Sequence, residues 1–272
     1  MRARALARDL AAMLSAAQVE DARFEAELLV RYAAGLERAD FFLDPELHER
    51  TVQLARALAE RRRRREPIPY ILGVREFYGR PFLVTPSTLV PRPETELLVE
   101  FVLAELGRSE PALVLDVGTG CGCIAVSIAC ERPAATVVGT DISRDALSVA
   151  ARNVARFGAP VHLVATDLVS GLRRADIIVA NLPYVPREEI EALQDEIREW
   201  EPRIALDGGP SGTALIERLV AAAPALRPRV LALEVGAGQA ERVAAACEAA
   251  GAHASVLPDL GGVPRVVVAR WR

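Results

Sequence analysis

The sequence predicts an α/β domain with a mostly parallel sheet, preceded by a small all-helical domain. Two observations lead to this fold class. Beyond about residue 110, short apolar runs alternate with helical stretches, which is typical of a parallel sheet covered by helices on both faces. Before residue 75, apolar residues recur at intervals of three and four, which indicates helices. We therefore expect two domains within the 272 residues.

Residues 1–75 form the predicted helical domain. The third of its helical stretches, 47–58, runs into five consecutive arginines at 61–65, which the sequence leaves open as a solvated helix end or a docking surface for a partner. Charge supports a boundary here, since residues 1–75 carry 14 Arg against 12 acids and the remainder carries 19 against 25. The first helical stretch is expected to have an apolar face formed by Leu6, Leu10, Met13 and Leu14. The second is expected to have one formed by Phe24, Leu28, Leu29 and Tyr32.

A linker is expected at residues 76–92, between the helical domain and a second domain at 93–272. Proline and glycine break any helix between residues 66 and 93, and apolar residues around Gly79 predict a short hairpin. Glu96 is expected to begin a helix, where an acid is favoured by the helix dipole. For Glu94 the sequence leaves two roles open: it could be another acid at the start of the helix, or it could help to orient a substrate.

Seven strands and five helices are predicted in the second domain. The last two strands lie close together along the chain, so we expect them to form an antiparallel edge pair. The predicted strands are 112–117, 136–140, 161–165, 176–180, 230–235, 254–257 and 263–269, and the helices are 124–131, 145–157, 187–200, 213–223 and 239–250.

Composition excludes several classes of protein. No apolar run approaches the roughly 18 residues that cross a bilayer, and charge interrupts the N-terminal residues too often for a secretory signal. We therefore expect a cytoplasmic enzyme without membrane association. All 33 basic residues are arginine, which excludes chemistry that needs a lysine amine. The four cysteines and three histidines lack metal-site spacing, so no metal is predicted.

A glycine loop follows the first strand of the second domain and leads into a helix. Such loops lie at the carboxyl ends of strands, where open sheets bind ligands, and glycine lets the backbone approach a ligand closely. The spacing is G-x-G-x-G, with cysteine where a dinucleotide fold would place its third glycine. This pattern suits a flat ligand without a pyrophosphate. The loop contains Gly118, Thr119, Gly120, Cys121 and Gly122.

Acids end the next two strands. Asp141 lies 21 residues beyond Gly120 and is placed to accept the hydroxyls of a ribose. It could instead cap the following helix, but Ser143 competes for that role. Asp167, followed by Leu168, is suited to an exocyclic amine of adenine. Polar groups at three successive strand ends predict a nucleoside pocket.

These features resemble class I methyltransferases that use S-adenosylmethionine. The resemblance implies a Rossmann-like sheet and S-adenosylmethionine as the methyl donor. It also implies that the glycine loop contacts the methionine part and Asp141 the ribose, while Asp167 and Leu168 border the adenine.

The fourth strand leads into Asn181-Leu182-Pro183-Tyr184, which resembles the Asn-Pro-Pro-Tyr signature of methyltransferases acting on a planar nitrogen. The Asn181 side-chain oxygen and the Leu182 carbonyl could accept both N–H groups of the target and offset the charge that forms on nitrogen. Tyr184 offers a face for stacking. Asn181 is also expected to border the cofactor. Leu182 departs from the signature, but Pro183 still favours extended backbone at that position.

Further segments resemble the HemK/PrmC family, which methylates the side-chain amide of a glutamine in release factors. The resemblance covers nearly the whole chain, including the helical N-terminal domain joined by a hairpin. It implies that the substrate is the Gly-Gly-Gln loop of a class 1 peptide chain release factor, held by the N-terminal helices. The segments are Pro-Arg-Pro-Glu-Thr-Glu at 91–96, Glu-Pro-Arg-Ile-Ala-Leu-Asp-Gly-Gly at 201–209, Leu-Glu-Val-Gly at 233–236 with Gln239, and Asp-Leu-Gly at 259–261 with Arg265.

Two alternatives stay open at this point. The first is an adenine-amino methyltransferase acting on rRNA or DNA, because Asn-Leu-Pro-Tyr also occurs in rRNA adenine dimethyltransferases. Residues 187–201 carry seven acids against two arginines, which would repel a phosphate backbone, so we expect no direct nucleic-acid partner. The second is a non-catalytic nucleoside-binding module, with Leu182 as a sign of a decayed active site.

Overall fold

The protein divides into two compact units. The computed structural model describes residues 1–271 and groups Met1–Gly73 with Gln194–Trp200 in a helical unit. Residues 74–193 and 201–271 form a sheet unit. The predicted domain limits at 75 and 92 stay a prediction, although the structure places residues 74–92 within the sheet unit. Across the described chain, no helix is both long and apolar enough to cross a membrane.

The elements alternate as the sequence pattern predicts. The α-helices are α1 (Ala3–Ala16), α2 (Ala22–Ala34), α3 (Arg38–Phe42), α4 (Glu49–Arg63), α5 (Ile68–Leu72), α6 (Glu96–Glu105), α7 (Cys123–Glu131), α8 (Arg144–Phe157), α9 (Asp195–Arg198), α10 (Ala214–Ala222) and α11 (Ala240–Ala249). The strands are β1 (Val74–Phe77), β2 (Arg80–Leu83), β3 (Leu113–Val117), β4 (Thr136–Asp141), β5 (Val161–Ala165), β6 (Ile177–Ala180), β7 (Val230–Glu234), β8 (His253–Pro258) and β9 (Pro264–Arg270).

The sheet confirms the predicted α/β fold. Its strand order is β5-β4-β3-β6-β7-β9-β8, with β9 antiparallel to both β7 and β8 and the other pairs parallel. All seven predicted strands are present with limits shifted by at most one residue, and β8 with β9 is the predicted antiparallel edge pair. β3 and β6 are neighbours near the centre of the sheet and run parallel. The segments that follow them therefore lie at the same edge of the sheet.

The helical unit buries a core between α1, α2 and α4. Of the apolar residues predicted for α2, Leu29 lies in this core, whereas the two aromatic residues do not. Phe24 and Tyr32 are 63% and 50% exposed. The buried residues of α2 are instead Ala22, Ala26, Leu29 and Val30. Small alanines allow a neighbouring helix to approach closely, so this stripe packs inward and the large aromatic side chains lie on the outer surface.

The arginine run is divided between residues held in ion pairs and residues that stay exposed, since the Arg63 and Arg64 side chains are 48% and 70% exposed. Arg62 is 6% exposed, and its guanidinium donates from Nε to Glu25 at 2.6 Å and from Nη1 to Glu196 at 2.9 Å. Arg65 also binds Glu196, at 2.9 Å. The others pair with acids close in the chain: Arg61 with Glu66, and Arg63 and Arg64 with Glu60. A buried arginine needs such carboxylate partners, because an unpaired buried charge is costly.

The predicted helix at 187–200 is wrong. A 3₁₀ helix covers Arg187–Ala192, extended backbone follows at Leu193 and Gln194, and only the four residues of α9 are α-helical. The acids of this segment bind arginines in different places: Glu196 binds Arg62 within the helical unit, and Glu201 binds Arg92 within the sheet unit. The non-helical backbone at Leu193 and Gln194 separates the two short helices.

Asn153 connects three parts of the sheet unit. It lies on α8 with no exposed surface, and its Oδ1 accepts from the Leu83 amide at 2.8 Å. Its Nδ2 donates to the carbonyls of Leu83 at 2.9 Å and Cys121 at 2.8 Å. One buried amide thus ties the predicted hairpin of β1 and β2, which is present, to the glycine loop.

Replacing Asn153 with alanine should destabilise the sheet unit. The change removes three hydrogen bonds and leaves their backbone partners unsatisfied, which we expect to cost about 3 kcal/mol. Urea unfolding followed by circular dichroism measures the loss. Arg152→Ala is the matched control, since Arg152 is the exposed neighbour on the same helix. Equal stability of the two variants would contradict the role assigned to Asn153.

Candidate functional site

The glycine loop between β3 and α7 is fastened to the end of β4. Gly118, Gly120 and Gly122 all have positive φ, the region that favours glycine. The amides of Gly118 and Thr119 both donate to the Thr140 carbonyl at 2.8 Å. The loop therefore has a fixed path across the carboxyl ends of β3 and β4.

Asp116 supports this loop from below, a role that the sequence analysis missed. The residue is fully buried, and its Oδ2 accepts from Thr119 Oγ1 at 2.6 Å and from the Ala125 amide at 3.1 Å. Among the described residues its Oδ1 has no hydrogen-bond partner. Burial raises the pKa of Asp116 to about 7. The sequence signal that could have identified Asp116 as a support for the loop is its position near the end of a buried strand, two residues before the first glycine.

Asp141 accepts backbone hydrogen bonds with both carboxylate oxygens. Oδ2 accepts from the Gly120 amide at 3.0 Å and Oδ1 from the Ser143 amide at 2.8 Å. Ser143, as expected, caps α8 by accepting from the Ala146 amide at 3.2 Å. Each oxygen of Asp141 keeps further lone pairs, so the carboxylate can still accept hydroxyl groups from a ligand.

The end of β5 leads to a strained turn. Leu168 has a positive φ of 52°, which is uncommon for a residue other than glycine, and its carbonyl accepts from Thr140 Oγ1 at 3.0 Å. Neighbouring Asp167 binds Arg218 on α10 through Oδ2 at 2.7 Å. Such strain persists only where the surroundings impose it, and it often marks functional sites.

A cavity of about 250 Å³ lies above these strand ends. It brings together nearly all the residues that the sequence assigned to the cofactor: Gly118, Thr119, Gly120, Cys121, Asp141, Asp167, Leu168 and Asn181. Gly122 is not in its lining and instead faces α8, where a Cβ would lie 3.3 Å from Ala150 Cβ. Leu182 and Pro183 line the cavity, whereas Tyr184 does not.

Asn181 follows β6 at the edge of the cavity. Its Nδ2 donates to Thr95 Oγ1 at 2.9 Å, so the side-chain oxygen is the atom left for a ligand. Thr95 belongs to the segment 91–96 that the sequence analysis singled out. Glu201 holds this segment, because it accepts from Arg92 at 2.6 Å and from the Val90 amide at 3.4 Å. Glu96 begins α6, as expected, and accepts from the Tyr78 amide at 2.8 Å.

The backbone after Asn181 is packed against glycines that are distant in the sequence. A Cβ at Gly208 would lie 2.1 Å from the Gly212 oxygen and 2.8 Å from the Pro183 oxygen. A Cβ at Gly212 would lie 2.5 Å from the Tyr184 oxygen. The segment 207–212 can therefore approach the motif only because these positions lack side chains.

Gln239 fixes the other side of the same backbone. Its Nε2 donates to the Tyr184 carbonyl at 2.7 Å, and its Oε1 accepts from the Gly236 amide at 2.9 Å. Leu182 is buried in the sheet core, and a Cβ at Gly118 would lie 2.9 Å from its Cδ2. Leucine at this position thus fills space between the motif and the glycine loop.

A buried carboxyl group lies beside the motif. Glu234 ends β7, is 1% exposed, and its Oε2 has no hydrogen-bond partner in the described part of the chain. Burial raises its pKa to about 7, while the Thr95 hydroxyl and Arg265 lower it in part. Burial, and then the charge of Glu234, raises the pKa of Tyr184 to about 12. In the sequence Glu234 stands out only as part of a family segment, because its burial depends on the strands on either side of β7, β6 and β9.

Known protein families match both parts of the chain. A family profile described as "PrmC N-terminal domain" matches residues 5–73, and one described as "Methyltransferase small domain" matches residues 93–203. The release factor glutamine methyltransferase of Geobacter sulfurreducens is 44% identical over 93% of this chain and 90% of its own. That of Cereibacter sphaeroides is 44% identical over 99% of both chains.

The chain belongs to the release factor glutamine methyltransferase family. Its membership confirms the family resemblance drawn from the sequence. Solved structures agree on the fold: a T. thermophilus 16S rRNA methyltransferase, RsmC, aligns with a TM-score of 0.54 at 21% identity, covering 73% of this chain and 50% of its own. A methyltransferase from Pyrococcus furiosus aligns with a TM-score of 0.54 at 17% identity, covering 71% and 90%.

Alanine at Gly208 should displace the motif. Its Cβ would overlap backbone oxygens that cannot rotate away, so we expect a loss of about 3 kcal/mol in stability and a fall in methyl transfer of at least about tenfold. Denaturant unfolding and initial rates test this. Gly107→Ala is the matched control, because a Cβ there would make only ordinary contacts at 3.6 Å with Glu110. A Gly208→Ala variant that behaves like the control would refute the close packing.

Proposed function

We propose that this protein transfers a methyl group from S-adenosylmethionine to the side-chain amide nitrogen of the glutamine in the Gly-Gly-Gln loop of class 1 peptide chain release factors. The observation that carries the proposal is the fixed orientation of Asn181, whose Nδ2 is bound to Thr95 and whose oxygen remains for the cavity. The curated relatives of the family, which are named for release factor glutamine methylation, support the same activity.

The cavity fits S-adenosylmethionine by its charge and its polar groups. Asp141 and Asp167 provide carboxylates for hydroxyl and amine groups, while Arg218, a cation in its lining, is already paired with Asp167. A ligand with a positive centre and no phosphate matches this set. The glycine loop would hold the methionine part, Asp141 the ribose, and Asp167 with Leu168 the adenine.

When bound, S-adenosylmethionine supplies an electrophilic methyl group on its sulfonium. An amide nitrogen is a poor nucleophile because its lone pair is delocalised into the carbonyl. Asn181 Oδ1 and the Leu182 carbonyl would accept the two N–H groups, orient the nitrogen and stabilise the positive charge that forms on it. As the N–C bond forms, the S–C bond would break and leave the sulfur as a neutral thioether, and the nitrogen would then lose one proton to water. Pro183 restricts the backbone between these acceptors and Tyr184. Tyr184, with its pKa raised to about 12, would stay neutral and pack against the substrate.

Two features favour a protein substrate over an adenine base. Arg92 and Arg218 near the site are already bound to Glu201 and Asp167, so these cations are not free for phosphates. The curated relatives support glutamine methylation and not the adenine alternative. The N-terminal helices would hold the release factor, as the family resemblance implies, so the small cavity need not provide all the specificity.

The proposal predicts one methyl group on one glutamine. Incubation with S-adenosylmethionine and a purified class 1 release factor should give a singly methylated Gly-Gly-Gln peptide by mass spectrometry. A release factor with glutamine replaced by alanine is the control and should remain unmodified. Parallel reactions contain rRNA or duplex DNA in place of the protein. Methylation of adenine there, with none on the release factor, would overturn the assignment.

Asn181→Ala should nearly abolish turnover while leaving cofactor affinity almost intact. Removing one acceptor for charge that develops in the transition state lowers kcat by about 100-fold or more. Calorimetry should show the Kd for S-adenosylmethionine within about threefold of the parent, since this ligand keeps its other contacts. Parallel losses of kcat and cofactor binding would instead indicate that Asn181 acts mainly on the cofactor.

A further inference from the structure

Helix α10 forms one wall of the cavity, although no sequence motif on this helix predicts a ligand contact. Leu215 and Arg218 lie three residues apart, on neighbouring turns, and both line the cavity. The adjoining face of the helix carries Ile216 and Leu219, which have no exposed surface and belong to the core of the sheet unit. Because the core holds α10 in place, Arg218 extends into the cavity lining from a rigid element.

Arg218 reaches from this helix to the acid that follows β5. Its Nη2 donates to Asp167 Oδ2 at 2.7 Å. Asp167 also lines the cavity, and its side chain is 45% exposed, against 55% for Arg218. A carboxylate has two oxygens with about four lone-pair positions, so this ion pair leaves Oδ1 able to accept a donor from a ligand.

The backbone and the side chain at this acid are both restrained. The next residue, Leu168, has a positive φ of 52°, and its carbonyl accepts from Thr140 Oγ1 at 3.0 Å. The side-chain torsion χ2 of an aspartate is broad when nothing binds the carboxylate. The ion pair selects those orientations that bring Oδ2 to Arg218, and it thereby fixes the direction of Oδ1 as well. Ordering these atoms before a ligand arrives reduces the entropy that binding costs.

We propose that Arg218 is a positioning residue, which orients the Asp167 carboxylate so that Oδ1 accepts the exocyclic amine of adenine. The site then prefers adenine to a purine that lacks this amine. The inference rests on the proposed function, because that proposal places the adenine beside Asp167 and Leu168. Arg218 acts through Asp167 and does not itself bind the amine, since a guanidinium has no acceptor.

A second role for an arginine at this position is stacking on the purine ring. Guanidinium groups stack on aromatic faces. Stacking contributes to the binding of every purine, whereas the orientation of Asp167 matters only for a purine that carries the amine. The dependence of affinity on the amine therefore separates the two roles.

Binding of two stable ligands to the full chain tests the inference. The first is S-adenosylhomocysteine, the thioether that remains after methyl transfer, and the second is its analogue with hydrogen in place of the exocyclic amine. Calorimetry gives both Kd values, and their ratio is the amine preference. The variants are Arg218→Ala, Arg218→Lys, Asp167→Ala and the double variant Asp167→Ala/Arg218→Ala. Thermal unfolding confirms that each variant is folded.

Arg242→Ala is the matched control. Arg242 binds Glu217, the neighbour of Arg218 on α10, from Nε at 2.7 Å. The Arg242 side chain is 56% exposed, close to the value for Arg218, but Arg242 does not line the cavity. The control therefore removes an arginine ion pair from the same helix and leaves the Asp167 contact intact.

We expect the parent and the control to bind the amine-bearing ligand about tenfold more tightly than the analogue, because a hydrogen bond to a carboxylate is strong. Arg218→Ala should lower this preference to about threefold and change the Kd of the analogue by less than about twofold. Arg218→Lys keeps a charge and a donor, and should recover most of the preference. Asp167→Ala should abolish it, and the double variant should lose nothing more.

The salt dependence of the amine preference gives an independent readout. Exposed ion pairs are screened, so about 0.5 M salt should bring the preference of the parent toward that of Arg218→Ala. The preference of Arg218→Ala itself should not change with salt. A purely structural role of Arg218 predicts no such convergence.

Three contrary outcomes are distinguishable. If Asp167→Ala abolishes the preference and Arg218→Ala keeps it, the positioning role is overturned while the proposed placement of the adenine stands. An equal loss for both ligands in Arg218→Ala also overturns it, since stacking on the ring or local damage explains that result. If the parent has no preference, or Asp167→Ala keeps the parental one, the proposed placement of the adenine fails and the inference fails with it.

Discussion

The site depends on one hydrogen bond, from Asn181 Nδ2 to Thr95 Oγ1 at 2.9 Å. Asparagine presents either a donor or an acceptor according to how its amide is turned, and this contact makes it an acceptor. Thr95 lies outside the Asn-Leu-Pro-Tyr motif, on a segment held in turn by Glu201 through Arg92 and the Val90 amide. The chemical character of the motif is therefore set by residues that are distant from it in the sequence.

Close backbone packing imposes a second constraint on the same motif. The carbonyls of Pro183 and Tyr184 face Gly208 and Gly212, where any side chain would overlap them, and Gln239 binds the Tyr184 carbonyl from the other side. These segments carry no reactive group. Their glycines and amide hold the backbone of Pro183 and Tyr184 in place. Under the proposed function this would also keep the neighbouring Leu182 carbonyl fixed, because misplacement of a reacting group is costly in rate.

Arginine and acid are distributed as intramolecular pairs around both units. Arg62 is buried between Glu25 and Glu196 in the helical unit, and Arg92 binds the buried Glu201 in the sheet unit. The acidic segment 187–201 is thus organised by specific arginine partners. Glu234 differs, since its Oε2 has no hydrogen-bond partner among the described residues and its charge is opposed by burial.

The sequence by itself determined the strand pattern and the glycine loop, and it singled out Asn181, because apolar periodicity and short motifs express local backbone and side-chain requirements. Tertiary structure alone decided that Asp116, Thr95 and Glu234 lie buried beside the candidate site residues, since burial and contacts between separate elements cannot be seen in a local pattern. It likewise decided that residues 187–200 do not form one helix, and that Phe24 and Tyr32 lie outside the core. A local pattern does not determine which of two apolar stripes of a helix packs into the core. Nor does it determine which distant arginine an acidic side chain binds.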